Sequence, residues 1–194
     1  MNNFYFLGDS ICYGQYVSIE KTWVHKFAKW LNEESEYTYR NYSVLNSSII
    51  GNTTRDALNR CYHEVFNRFP SVVYIQYGMN DCNQWDSENG LNRVMEKTFA
   101  CNLEELIIRT KLSGAIPIIG TNHYSNKNKE YDNRNIKYNK IIRSVSKKLS
   151  ILCIDHEKSW DEFNHIELLL DDGIHLNELG HNLYFETIKS KIKI

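Results

Sequence analysis

Phe4-Tyr5-Phe6-Leu7-Gly8-Asp9-Ser10 opens the chain with four apolar residues followed by a glycine, a carboxylate and a hydroxyl. A short, unbroken apolar run bounded by turn residues reads as a strand buried on both faces. It ends on a tight turn that carries a serine. The same pattern recurs downstream: Val72 to Tyr77 precedes Gly78-Met79-Asn80-Asp81, and Ile116 to Gly120 precedes Thr121-Asn122-His123. Ile151 to Ile154 begins the approach to Asp172-Gly173-Ile174-His175. A further strand is expected over Tyr37 to Val44, with a polar loop holding Gly51 behind it.

Helical periodicity fills the intervals. Trp23, Val24, Phe27, Trp30 and Leu31 predict a helix over Thr22 to Asn32, with Thr22 as its cap. Ala57, Leu58, Cys61, Val65 and Phe66 share one face of a helix over Thr54 to Phe69, closed by Pro70. Further helices are expected over Val94 to Leu112, Ile136 to Ser150 and Asn177 to Lys191. Apolar strands alternating with helices require crossover connections, and hence a five-stranded parallel sheet covered on both faces. The expected fold is α/β, a three-layer α/β/α sandwich. A length of 194 residues at 42% hydrophobic content supplies one sizeable core, so a single domain over residues 1–194 is expected.

Ligands of such sheets bind beyond the carboxyl ends of the strands, which puts Ser10, Gly51, Asn80, His123, Asp172 and His175 on one rim. A serine hydroxyl is a poor nucleophile until an imidazole within hydrogen-bond reach takes its proton, and His175 is the candidate base. Asp172, three residues earlier, can turn its carboxylate onto the far ring nitrogen and stabilise the imidazolium formed during attack.

Composition narrows the alternatives. Lys and Arg number 23 against 24 Asp and Glu, a net charge of −1 that offers no global footprint for nucleic acid or an anionic membrane. The five cysteines (Cys12, Cys61, Cys82, Cys101 and Cys153) are scattered without CxxC spacing, which points to reduced thiols, most of them in the core. No GxSxG elbow, GxGxxG fingerprint, P-loop or HExxH is present, and no cofactor or metal is expected. No apolar run approaches the roughly 18 residues of a membrane span. The serine turn starts too early to leave room for a secretory signal ahead of it, so a cytoplasmic location is expected.

Taken together, Gly8-Asp9-Ser10, Gly51, Gly78-Met79-Asn80-Asp81 and Asp172-Gly173-Ile174-His175 resemble the four motif blocks of the SGNH/GDSL hydrolase family, in particular its small standalone bacterial members. Ile11 departs from the family's leucine, an apolar exchange that leaves the polar roles untouched. The resemblance implies a flavodoxin-like fold and a serine nucleophile. It also implies an oxyanion hole made by the backbone N–H groups of Ser10 and Gly51 and the Asn80 amide, and esters from acetylated sugars to lipids as substrates. At Gly51 the missing side chain is expected to permit close approach of the oxyanion.

Asp9 and Asp81 are expected to brace turns rather than react. Tyr13, Trp85, His123 and Tyr124 are candidate substrate contacts on rim loops. The basic stretch from Lys127 to Lys148 is expected to be a solvated helix face. The rim loops Cys82 to Asn92 and Asn122 to Asn135 are rich in Asn, Asp, Tyr and Trp. That suits a small-molecule ester, an O-acetylated sugar, and a carbohydrate O-acetylesterase is the leading expectation. A lysophospholipase or broad short-chain esterase, a silent glycan-binding module and an acyl transferase are the alternatives.

Overall fold

The computed structural model describes residues 2–38, 42–85 and 89–192. Five strands, β1 (Asn2–Gly8), β2 (Tyr42–Asn46), β3 (Val72–Gln76), β4 (Ile116–Gly120) and β5 (Leu152–Ile154), form one sheet in the order β2-β1-β3-β4-β5. Every neighbouring pair is parallel. Among the described residues seven α-helices connect and cover them: α1 (Ser10–Tyr13), α2 (Trp23–Thr38), α3 (Thr54–Glu64), α4 (Glu96–Leu112), α5 (Lys129–Leu149), α6 (His156–Ser159) and α7 (Glu178–Lys189). This is the α/β/α sandwich expected from the sequence.

Strand side chains alternate between faces, so each apolar strand feeds two cores at once. Tyr5, Leu7, Val73, Ile75 and Ile119 face α3, α4 and α5, whose Ala57, Leu103, Ile107 and Ile142 complete a mostly aliphatic layer. Phe4, Phe6, Tyr74, Ile118 and Ile154 face α2 and α7 and meet Trp23, Phe27, Leu31, Tyr184 and Ile188. That second layer is aromatic: Phe6 lies edge-on to Trp23 at 5.1 Å and to Phe27 at 5.4 Å between ring centroids. Each such pair contributes about 0.5–1.5 kcal/mol beyond simple burial.

The largest departures from the expected element boundaries fall at the α2–β2 junction, the end of α3 and the start of α5. The strand expected over Tyr37 to Val44 lies instead at Tyr42–Asn46, because α2 runs on to Thr38. Glu33, Glu34 and Glu36 are good helix formers and carry the helix past its last apolar anchor; residues 39–41 lie outside the described part. α3 stops at Glu64, and a 3-10 turn over Phe66–Arg68 and a left-handed Phe69 (φ 53°) fill the stretch up to Pro70. α5 starts at Lys129 rather than Ile136 because Asn128 caps it, its side chain accepting from Tyr131 N, with Glu130 and Asp132 at the positive end of the helix dipole. The expected rim loop Asn122 to Asn135 is therefore half helix. Among the described residues no helix is long and apolar enough to cross a membrane.

Candidate active site

Asp9 accepts a hydrogen bond from Ile11 N at 3.0 Å and so starts α1 immediately after β1, with Ser10 as its first residue. Two long-range bonds hold this short helix: Trp23 Nε1 donates to Ile11 O at 2.9 Å, and Asn46 Nδ2 donates to Cys12 O at 2.9 Å. His175 comes from a loop folded on itself. Asp172 Oδ1 accepts from the backbone N–H groups of Ile174 and His175, each at 2.9 Å, while Oδ2 meets His175 Nδ1 at 2.5 Å. Gly173 makes the turn possible at φ 67°, where a Cβ would lie 2.4 Å from Asn126 O. The other ring nitrogen, His175 Nε2, stands 3.0 Å from Ser10 Oγ.

A carboxylate accepts only, so the Nδ1 contact puts the ring proton on Nδ1 and leaves Nε2 free to accept from the serine hydroxyl. Burial tends to raise the Asp172 carboxyl, but the His175 backbone N–H, the His175 ring and the Ile174 N–H outweigh it and hold the group below its usual range.

The other rim residues are braced around this array. Asn80 Nδ2 donates to Asp9 Oδ2 at 3.3 Å, which orients the amide beside the serine turn. Asp81 Oδ1 accepts from Thr54 N at 2.9 Å and Thr54 Oγ1 at 2.6 Å, tying the turn after β3 to the start of α3. Burial raises both carboxyls, Asp9 to about 7 and Asp81 to about 6. Both aspartates thus brace turns. Gly51 sits in the loop between β2 and α3, which is anchored to β1 by Ser47 N on Phe6 O at 2.8 Å and Ile49 N on Gly8 O at 3.1 Å. Its glycine is required by φ 77° rather than by crowding, since a Cβ there would meet nothing within 4 Å.

A family model described as the GDSL-like lipase/acylhydrolase family matches residues 6–183. The chain belongs to this family. An arylesterase of Vibrio mimicus is 28% identical over 171 residues, covering 87% of this chain and 77% of the relative. A lipase/acylhydrolase from Enterococcus faecalis superposes with a TM-score of 0.82 at 25% identity, over 99% of this chain and 95% of that one. An acetylxylan esterase from Geobacillus stearothermophilus shares the fold, with a TM-score of 0.83 at 21% identity over 100% and 94% of the two chains. The protein is accordingly a carboxylic ester hydrolase of the GDSL type.

In this GDSL acylhydrolase the four candidate substrate contacts have different fates. Trp85 is 46% exposed, with one ring face covered by the Arg93 guanidinium 3.8 Å from its centroid. Arg93 also donates to the Gly51 carbonyl at 2.8 Å, so the indole is coupled to the Gly51 loop. Tyr13 is exposed but lines a cavity of about 440 Å³ with Val17, Ile19, Val24, Ala28 and Val44, to which Ser10, Asp172 and His175 do not contribute. Tyr124 stacks on His165 at 4.2 Å and donates to Asp161 at 3.1 Å. His123 is fully buried, between Tyr184 and the Ile174 carbonyl, and presents no face to a ligand.

Two residues that sequence reasoning passed over belong near the site. Tyr16, strained at φ 72°, sets its ring edge-on to His175 at 5.1 Å; nothing in its sequence context marks it. Gln76, fully buried at the end of β3, had one signal, a glutamine inside the apolar run Val72 to Tyr77. In the basic stretch Lys129, Lys137, Lys140 and Lys147 are exposed, whereas Arg143 holds Asp155 and Glu157, Arg134 donates to Cys82 O, and Lys148 meets Glu104. Cys12, Cys61 and Cys82 are buried free thiols.

Proposed function

We propose that this acylhydrolase is a carbohydrate O-acetylesterase that works through Ser10, His175 and Asp172. The observation that carries the reading is the continuous array Ser10 Oγ, His175 Nε2, His175 Nδ1, Asp172 Oδ2, with links of 3.0 and 2.5 Å. His175 Nε2 takes the hydroxyl proton as Oγ attacks the ester carbonyl, and the C=O electron pair becomes an oxyanion. The N–H groups of Ser10 and Gly51 and the Asn80 amide receive it, each donor worth about 3–4 kcal/mol. Collapse expels the sugar alkoxide, which leaves with the proton from His175. A water molecule then repeats the sequence and releases acetate from Ser10.

The sugar reading is supported by the half-exposed Trp85 ring beside the Gly51 loop, a flat apolar face of the kind a pyranose stacks on, and by the polar residues around it. An acetylxylan esterase on the same fold is in keeping with it. A broad short-chain esterase is the second reading, favoured by the exposed Ile49 and Ile50 on the loop before Gly51 and by the arylesterase relative.

Acetate release from a panel of acetylated sugars, set against p-nitrophenyl esters from acetate to palmitate, tests the proposal. Turnover of acetylated sugars with a sharp fall beyond short acyl chains is expected, and a preference for long chains rejects it. A fluorophosphonate should label wild type and not Ser10→Ala, whose turnover falls to near background; an active Ser10→Ala protein rejects the nucleophile.

A further inference from the structure

We propose that His123 is a positioning residue for the His175 base, holding its loop in register with Ser10 through the Ile174 carbonyl. The inference rests on Ser10 and His175 being the reactive pair. His123 Nε2 lies 2.8 Å from Ile174 O, one residue before His175, and its Nδ1 lies 2.7 Å from Tyr184 Oη. Tyr184 Oη also meets Gln76 Nε2 at 3.0 Å, and Gln76 Oε1 meets Cys12 Sγ at 3.1 Å. Cys12 stands two residues past Ser10 on α1. A buried chain of side chains thus leads from the helix of the nucleophile, through β3, α7 and the segment after β4, to the loop of the base.

The polarity of every joint follows from elementary chemistry. A backbone carbonyl only accepts, so His123 Nε2 bears the ring proton and Nδ1 accepts from the Tyr184 hydroxyl. That hydroxyl, having donated, accepts from the Gln76 amide N–H, and the amide oxygen accepts from the Cys12 thiol. Burial pushes His123 down to about 3, which keeps the ring in the neutral form the chain requires. Stacking fixes the rings: Trp160 lies on His123 at 4.8 Å and 25°, and His156 on Tyr184 at 3.8 Å and 6°. The backbone of the same segment adds one bond, Asn126 N to Gly173 O at 2.8 Å, and Asn135 Nδ2 holds His123 O at 2.8 Å.

Asp172 orients the His175 ring, but it belongs to the same loop and moves with it. Only contacts from outside the loop can set the distance between His175 Nε2 and Ser10 Oγ. A displacement of a fraction of an ångström there reduces turnover without changing how the ester binds.

The test compares His123→Asn, which loses the reach to Ile174 O, with His123→Gln, whose amide N–H can take the place of Nε2. The assay is hydrolysis of p-nitrophenyl acetate. His123→Asn is expected to lower kcat roughly 10- to 100-fold with KM within about twofold, and His123→Gln to recover most of that loss. Leu103→Ala, in the opposite core layer, is the control for simple destabilisation: Tm falls while kcat stays. Equal losses in the two His123 variants, a kcat for His123→Asn within about twofold of wild type, or a parallel kcat loss in Leu103→Ala overturns the proposal. Nitrogen-15 NMR of the wild-type protein adds a readout that needs no variant: His123 is expected to be neutral with its proton on Nε2, and a proton on Nδ1 overturns it. An active Ser10→Ala protein rejects the reactive pair itself, whereas an inactive one beside a fully active His123→Asn rejects only the tie.

Discussion

Asp172 and His123 both hold the His175 loop, the first from within it and the second from the far side of the core. Asp172 is partly exposed and three residues from the ring it contacts; His123 is fully buried and 51 residues from the carbonyl it holds. A local, hydrated support can be lost with little effect on folding, because water and neighbouring backbone take up the freed groups. A remote, buried support couples activity to stability, because each polar partner left behind in the core is unsatisfied.

The largest expected effect comes from the local support. Asp172→Asn keeps an oxygen for the Ile174 and His175 N–H groups but no longer holds the proton on Nδ1, so kcat should fall roughly ten-thousandfold. Its Tm should stay near that of wild type, and a Tm loss matching the activity loss would break the contrast. Next, Tyr184→Phe strands His123 Nδ1 and the Gln76 amide in the core and should destabilise the protein by about 1–3 kcal/mol in denaturant unfolding. It should lower kcat by far less than Asp172→Asn. Unchanged stability would show that the buried chain is slack.

The smallest effect separates the supports by pH. His123 has a folded-state value pushed from 6.5 down to about 3, so it binds fewer protons folded than unfolded between those limits. Its contribution to stability is complete above pH 6.5 and is lost as pH falls toward 3. Asp172, held below its ordinary 3.8, contributes above that value and loses its contribution only as pH drops further. Buried His156 and His181 shift in the same direction as His123, so the informative quantity is the difference between wild type and His123→Gln. That difference in Tm should shrink steadily from pH 7 toward 4. A constant difference would mean that His123 does not stay neutral in the core.

Legibility in the sequence follows the same division. The Asp172 to His175 spacing and the serine after an apolar strand are local patterns, and the strand-end rule brings Ser10 and His175 to one rim although 165 residues separate them. His123 also follows a strand, and the same rule set it on the rim as a substrate contact. Its burial depends on Trp160, Tyr184 and Ile174, which arrive from three other segments with no shared period. The positive φ of Gly51 and its open surround are facts of backbone path, invisible in residue type.

By itself the sequence determined the five parallel strands and the two helical layers, and singled out Ser10, Asp172 and His175 as candidates, because hydrophobic period and short spacings act over a few residues. The structure alone decided that α2 runs past its last apolar anchor, that α5 starts at Lys129, that Tyr124 turns to His165 and Asp161 while Tyr13 lines a separate cavity, and that His123 is buried against Tyr184 and the Ile174 carbonyl. Those outcomes depend on which hydrogen-bond partners meet once the layers pack, and pairing between distant polar groups leaves no periodic trace along the chain.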